Sequence, residues 1–237
     1  SGLSVTFREL DIKAWKTFPL INFTIDSLVV RDDKRPVNEQ PLFAAEHFKG
    51  SLTLGNLLFD TLRLNRVELR DGAVYIASDS SGNFNLGLLN KEKEPGDTST
   101  FNWLNPEIDW NGMEVRLSNL DLAFFRPDRN KRMVVHLDSL LTKTERTLRG
   151  ITTDSELAAF VSGIAFNTDK GKFLEKSALS GQLKIKNDKG VWSLEQTDLR
   201  IRGETYTCAA ELKTGVYKGL QLRVESPVAH YDSMTGL

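Results

Sequence analysis

Histidine and cysteine, the side chains that most often bind metals or act as nucleophiles, are sparse and scattered in this sequence. His47, His136 and His230 lie far apart, and none has the spacing of a helical metal-binding pair. His136 stands on the polar side of an alternating segment, which predicts an exposed strand residue. Cys208 is the only cysteine and has no neighbouring His or Lys, so we expect an inert, half-buried thiol. These residues predict no metal site, no cofactor and no intrachain disulfide.

Carboxylate pairs are the other chemistry that the sequence offers, because two facing carboxylates can cleave a glycosidic bond by acid and base catalysis. Such pairs arise by chance in a chain with 32 acidic residues, and solvated loops explain them better. The sequence contains no Gly-x-Ser-x-Gly, Walker or dinucleotide-binding motif. We therefore predict no catalytic residue. The pairs considered are Asp32 with Asp33, Asp79 with Asp121, and Glu107 with Asp109.

Composition argues against one class of partner and leaves the number of domains open. The 237 residues suffice for one large β domain or two smaller ones. Lys and Arg (31) nearly cancel Asp and Glu (32), and a net charge of −1 gives little support to a nucleic-acid partner. No apolar run approaches the roughly 18 residues of a membrane helix. Because the sequence starts at Ser1-Gly2 without Met, we expect any anchor or targeting segment to lie outside it.

Apolar and polar residues alternate through most of the chain, which is the period of strands with one covered face. The phase slips between Leu64 and Val67, which predicts a bulge or bend near Asn65-Arg66. Asp71-Gly72 accepts positive φ in a tight hairpin, so we predict that the chain turns there and returns at 73–77. Further strands are predicted at 114–125, 133–140, 158–166, 178–186, 191–196, 198–202, 205–212 and 220–225.

Helical signals are few, and one polar segment divides the chain. Residues 84–90 and 153–159 could each form about two helical turns, the second with Thr153 or Asp154 as N-cap. The run that begins at Lys91 contains Pro and Gly and nothing to bury, which predicts a linker. The predicted organisation is a β subdomain at 1–90, a linker at 91–102, and a second β subdomain at 103–237 that continues the sheet. The predicted fold is mostly β, with long curved antiparallel meander sheets forming a groove or open barrel, and one to three short helices.

The alternation itself allows two interpretations. In one, the apolar faces close on each other as a sandwich or barrel with a packed core. In the other, a curved sheet leaves its apolar face lining a groove for acyl chains or an apolar partner. Periodicity does not separate them, because the same residues would fill a core or line a groove. The residues predicted on the lined face are Leu62, Leu64, Val67, Leu69, Val74, Ile76, Leu183 and Ile185.

Several motifs follow one another along the chain. In the N-terminal part they are Phe18-Pro19-Leu20-Ile21, the alternating segment 23–30, Pro41-Leu42-Phe43-Ala44-Ala45-Glu46, residues 50–58, the alternating segments within 62–76, and Asp79-Ser80-Ser81-Gly82-Asn83-Phe84-Asn85. A later motif is Leu179-Ser180-Gly181-Gln182-Leu183. The order of the N-terminal motifs resembles the N-terminal region of AsmA-like proteins of Gram-negative envelopes, and the later motif is similar to a later part of the same family.

This resemblance implies a function as well as a fold. It implies a periplasmic protein, tethered to the inner membrane by one N-terminal helix outside this sequence, with a β-groove body related to proteins that pass phospholipid between membranes. It implies no enzymatic activity and offers no catalytic residues. The leading hypothesis is a domain that helps outer-membrane assembly, phospholipid transport or lipid homeostasis, with its apolar sheet face contacting a phospholipid or another acyl lipid.

Two other classes stay open at this point. A structural or adaptor module could bind another envelope protein through its sheet edges by strand addition. A carbohydrate-active enzyme is the least supported class, and it would need two facing carboxylates in a concave site.

Overall fold

In the computed structural model, the described residues are 3–14, 18–32, 40–53, 62–85, 108–109, 111–148, 150–172, 174–188, 191–213 and 219–225. Most of them lie in β strands, and the helices among them are two short 3₁₀ turns, Pro127–Arg129 and Thr168–Lys170. The strands are β1 (Leu3–Thr6), β2 (Glu9–Lys13), β3 (Leu20–Asp32), β4 (Phe43–Thr53), β5 (Leu62–Ala77), β6 (Ile108–Asp109), β7 (Met113–Arg126), β8 (Lys131–Arg146), β9 (Gly150–Ala165), β10 (Ser177–Asp188), β11 (Val191–Ile201), β12 (Glu204–Lys213) and β13 (Gly219–Glu225).

These strands form one open sheet that does not close into a barrel. Their order is β1, β3, β4, β5, β7, β8, β9, β10, β11, β12 and β13, with β2 also beside β3 and β6 beside β5. The pairs are antiparallel except for those of β5 with β6 and with β7, which are parallel. The predicted mostly-β fold with a long meander sheet is confirmed, and the parallel pairing is the feature that the prediction lacked.

The parallel pairing of β5 with β7 joins the earlier and later parts of the chain in one sheet. It extends from Arg66↔Glu114 to Ala77↔Phe125. Parallel neighbours need a crossover of about a dozen residues or more, and the chain between these two strands supplies it. The predicted linker at 91–102 belongs to this crossover and lies outside the described residues. The domain boundaries predicted there stay predictions.

The Asp71-Gly72 pair does not form the predicted hairpin turn. β5 continues through it, and β4 pairs with β5 on both sides of it. Asp71 has a φ of 54°, so the expected positive φ is present, but inside a strand. A Cβ on Gly72 would lie 2.2 Å from the Ala44 carbonyl oxygen, which explains the glycine. The prediction was wrong because a hairpin turn and a kink within a strand favour the same residue types.

A row of polar residues crosses the sheet at the level of Asp71. From β3 to β8 it consists of Ser27, Glu46, Asp71, Asn119 and Asp138. In each strand, the residues immediately before and after the row residue pair with the neighbouring strand, but the register skips the row residue itself. Ser27, Asp71 and Asn119 have positive φ. The Ser27 hydroxyl donates to Glu46 (Oγ to Oε2 3.1 Å), and the Asn119 amide donates to Asp71. We call these residues the polar row.

The polar row shifts the alternation by one residue in each strand that it crosses. In β5, Leu69 precedes the row and Val74 follows it, and in a regular strand two residues at this odd spacing would face opposite sides. Their partners on β7, Leu117 and Leu122, nevertheless pack against the same core cluster. An irregular residue of this kind reverses the alternation, so odd-numbered residues face one side of the sheet before it and the other side after it. The apolar residues therefore stay on one face above and below the row.

Other irregularities test the remaining local predictions. The predicted bulge near Asn65-Arg66 is confirmed, because the pairing of β4 with β5 shifts between Ser51↔Arg66 and Leu52↔Leu64. The segments 191–196 and 198–202, predicted as separate strands, are one strand, β11, whose pairing with β12 shifts between Leu194 and Thr197.

The predicted helix at 153–159 is wrong, because this segment lies in the middle of β9. β9 pairs along its length with β8 on one edge and β10 on the other, and these ladders outweigh a local N-cap signal. The other predicted helix, 84–90, begins with Phe84, which forms a β-bridge with Ser78 instead. Residues 86–90 of that prediction lie outside the described part of the chain.

Candidate functional site

One row of paired residues shows that a single face of the sheet is apolar from β3 to β11. Neighbours in such a row point to the same side of the sheet. We call this side the apolar face and the opposite side the charged face. The row is Leu28, Ala45, Gly72, Leu120, Leu137, Ala159, Leu179 and Ile201.

The predicted lined-face residues lie on the apolar face wherever their side chains are described. Leu62 pairs with Ile108 through its backbone, and its side chain is outside the described set. The β5 and β10 residues are separated by four strand spacings, roughly 19 Å, so they share a face but not one small pocket. The residues placed on the face by the register are Leu64, Val67, Leu69, Val74, Ile76, Leu183 and Ile185.

Burial on the apolar face is greatest in two clusters, one at its centre and one on β11 and β12. Leu120 is 1% exposed and Leu137 4%, and with Ala159 they form a cluster packed by surrounding leucines and Val135. Towards the two ends of the sheet, Ile12 is 59% exposed and Val224 42%. Most residues between these extremes are half-buried. The second cluster is Ile201, Tyr206 (0% exposed) and Cys208, so the face combines two packed clusters with apolar surface on its outermost strands.

No charged side chain lies in the interior of the apolar face among the described strands. Those that the register places on this side occupy the first or last residue of a strand. An unpaired charge amid apolar side chains would be strongly unfavourable, so this distribution keeps the interior suited to hydrocarbon. The charged residues at its margins are Asp32, Arg126, Lys131, Arg146 and Glu204.

A group of hydroxyl side chains that the sequence patterns did not predict interrupts the apolar face on β8 and β9. Thr142 lies beside Ser155, and Thr144 lies beside Thr153. The Thr142 and Ser155 hydroxyls are 3.0 Å apart and hydrogen-bonded. We call these four residues the hydroxyl patch. The available signal was the alternation of threonines around Lys143, which continues beyond the predicted end of that strand at residue 140.

The charged face carries cross-strand ion pairs. Arg66 of β5 lies 3.2 Å from Glu114 of β7 (Nε to Oε1), and Arg116 also reaches Glu114 at 2.6 Å. The hydrogen bond from Arg116 holds the pKa of Glu114 below its ordinary range, although burial opposes this shift. On β10 and β11, the hydrogen bond from Lys186 likewise lowers the pKa of Glu195. These groups keep this face hydrated and ionised at neutral pH.

A depression of about 1040 Å³ lies on the charged face over β8 to β12. Its charged residues balance in sign, so it presents no net field to a charged ligand. Its charged lining residues are Lys143, Asp154, Glu156, Lys184, Asp198 and Arg200.

The carboxylates considered as catalytic pairs serve other contacts. Asp79 accepts hydrogen bonds from the backbone amides of Ser81 (2.8 Å) and Asn83 (2.9 Å), and the Asn83 amide is the main cause that lowers the pKa of Asp79. Asp121 lies beside His136 (Oδ1 to Nδ1 2.8 Å). The structure does not describe Asp33, Glu107 or the Asp109 side chain, so those pairs stay untested.

The candidate metal-ligating and nucleophilic residues are also dispersed. His136 lies on the charged face, as predicted, and His230 lies outside the described residues. Cys208 is buried with Tyr206 and Ile201, and burial raises the pKa of its thiol. No group of three or more His, Cys, Asp or Glu in the described ranges could hold a metal ion. The same ranges contain no helix long and apolar enough to cross a bilayer.

No family model matches the chain, and no curated protein matches it. The two faces of the sheet and the resemblance of the sequence motifs are the observations that bear on its function.

Proposed function

We propose that this chain is a non-enzymatic periplasmic domain of an AsmA-like envelope protein, and that its apolar face contacts the acyl chains of phospholipid. The full-length protein would be anchored in the inner membrane and would serve outer-membrane assembly or lipid homeostasis. The observation that supports this proposal best is the interior of the apolar face, which is free of charge across the described strands.

The mechanism is passive burial. Each lipid methylene removed from water contributes roughly 0.8 kcal/mol, so a chain of about ten methylenes in contact supplies substantial affinity without any catalytic group. Because the sheet is open, a head group can stay in water while the chains lie on the apolar face. The ion pairs of the charged face are costly to dehydrate, which favours the apolar face as the contact surface.

Two neighbouring residues on opposite faces provide the test. Leu183→Asp places a carboxylate on the apolar face, and Gln182→Asp places the same group one residue earlier on the charged face. We expect phospholipid to co-purify with the wild type and with Gln182→Asp, and to be lost from Leu183→Asp. Native mass spectrometry measures the bound lipid, and circular dichroism establishes that both variants are folded. Equal lipid in the two variants, or none in the wild type, would contradict the proposal.

A second candidate is an adaptor that binds another envelope protein by strand addition. The specific observation is β13, which pairs with β12 on one side and stands at the end of the order of the described strands. An open edge of this kind offers backbone donors and acceptors to an extended segment. Arg223→Pro removes a backbone N–H from this edge strand. Loss of a specific partner in pull-down, from a protein that carries no lipid, would favour this candidate over the first.

A further inference from the structure

The hydroxyl patch is chemically unlike the face around it. Thr142, Thr153 and Ser155 are half-buried and Thr144 is 7% exposed. One hydrogen bond joins Thr142 to Ser155, which leaves one of the two hydroxyl protons free to donate elsewhere. Among the described residues, the Thr144 and Thr153 hydroxyls have no hydrogen-bond partner. The patch therefore holds unused hydrogen-bonding capacity in a setting of low polarity.

Apolar residues flank the patch on both neighbouring strands. On β7, Met113 lies beside Thr144 and Val115 beside Thr142. On β10, Leu183 lies beside Ser155 and Ile185 beside Thr153. A ligand that fits this surface has a hydrogen-bonding centre from which apolar chains extend.

The hydrogen-bonding centre of such a ligand is uncharged. The interior of the apolar face offers no charged side chain to neutralise an ion, and a buried unpaired ion is far more costly than a carbonyl that accepts hydrogen bonds. Hydroxyl donors match the carbonyl oxygen of an ester. A cation is available just beyond the patch, because Arg146 ends β8 two residues after Thr144, roughly 7 Å further along the strand.

We propose that the hydroxyl patch binds the ester carbonyls of a diacyl phospholipid, with the acyl chains on the flanking apolar residues and the phosphate at Arg146. This inference rests on the proposed function, and it adds a specific lipid linkage and an orientation. It assigns Thr142, Thr144, Thr153 and Ser155 as the residues that distinguish an ester lipid from other apolar ligands.

The test compares an ester lipid with its ether analogue. The probes are dioctanoyl phosphatidylglycerol and the dioctyl ether lipid with the same head group, which lacks both carbonyls. Calorimetric titration should show that the wild-type chain binds the ester about tenfold more tightly, as expected from one or two hydrogen bonds. The variant Thr142→Val/Thr144→Val/Thr153→Val/Ser155→Ala keeps the side-chain shapes and should bind both probes with equal affinity.

A matched control variant and three possible outcomes test the assignment of the hydroxyl patch. Ser139→Ala/Ser180→Ala removes hydroxyls from the charged face of β8 and β10, and it should keep the ester preference. If the wild type binds both probes equally, or the patch variant keeps its preference, the patch assignment is wrong while the proposed function stands. If the wild type binds neither probe, the proposed function and this inference are both wrong.

Arg146→Gln tests the orientation separately. It should weaken binding of dioctanoyl phosphatidylglycerol about fivefold and leave binding of dioctanoylglycerol, which has no phosphate, unchanged. The ratio of ester to ether affinity should not change in this variant. An equal loss for both lipids would overturn the placement of the phosphate.

Discussion

The apolar and charged faces belong to the same strands, yet their side chains interact with their surroundings in opposite ways. On the apolar face, exposure ranges from 0% at Tyr206 and 1% at Leu120 to 59% at Ile12. On the charged face, neighbouring strands are joined by ion pairs such as Arg66 with Glu114. Only one side of this sheet can therefore accept hydrocarbon without leaving charges dehydrated.

The largest expected effect comes from the centre of the apolar face. Leu120→Ala should lower the free energy of unfolding by about 3 kcal/mol, because it removes a fully buried side chain from the central cluster. The matched change on the charged face of the same strand, Ser118→Ala, should change it by less than about 0.5 kcal/mol. Urea unfolding followed by circular dichroism measures both. Similar values for the two variants would mean that the centre of the apolar face is not a core.

The close approach of β4 and β5 at the polar row has the next largest effect. Gly72→Ala should destabilise the fold by about 2 kcal/mol, since the new methyl group would meet the Ala44 carbonyl oxygen. Gly163→Ala is a suitable control, because its methyl group would meet the flexible Lys172 side chain at 3.1 Å. Thermal unfolding compares the two. A control that loses as much stability as Gly72→Ala would contradict the backbone clash.

The positive φ in the polar row predicts a smaller effect with a distinctive pattern. Asn119→Ala should cost about 1 kcal/mol, because it removes the hydrogen bond to Asp71 and places alanine at a φ of 54°. Asn119→Gly loses the same hydrogen bond but accepts this φ, so it should cost less. If the glycine variant is the less stable one, the backbone conformation is not what selects Asn119.

The smallest expected effect concerns the ion pairs of the charged face. Arg116 and Arg66 lower the pKa of Glu114 in the folded state, so the stabilisation is present above the ordinary value of about 4.5 and is lost as the pH falls through the folded pKa. Because the arginines are exposed, this stabilisation is at most about 1 kcal/mol. Glu114→Gln should remove that part of the acid dependence in chemical unfolding at low salt. An unchanged pH profile would show that the pairs contribute nothing.

Local patterns in the sequence predicted part of the fold and failed where pairing between distant segments decides the structure. The phase slip at Asn65-Arg66 is visible in the chain, and the bulge is present. Asp71-Gly72 indicated positive φ correctly, but the continuing partner strand, which a local motif does not reveal, determines whether the chain turns. The parallel pairing of β5 with β7 depends on a long crossover and leaves no local signal.

The sequence also predicted only part of the candidate lipid-binding surface. Alternation placed Leu64 and Ile185 on one side of their strands, but only the register across β7, β8 and β9 brings them onto one common face. Sequence patterns do not indicate the hydroxyl patch, because the N-cap signal at Thr153 predicts a helix there and Thr144 lies beyond the predicted end of its strand. A threonine in a strand also has a simple explanation in its β-branched shape, so its type alone does not indicate a ligand.

Site-specific photocrosslinking compares the two faces most directly. p-Benzoylphenylalanine is placed at Leu183 on the apolar face or at Gln182 on the charged face, and each protein is irradiated with vesicles of phosphatidylethanolamine and phosphatidylglycerol. We predict lipid adducts at position 183 and few at position 182, as measured by mass spectrometry of the intact chain. Adducts that are equally frequent at both positions, or found chiefly at 182, would contradict the assignment of the apolar face as the lipid-binding surface.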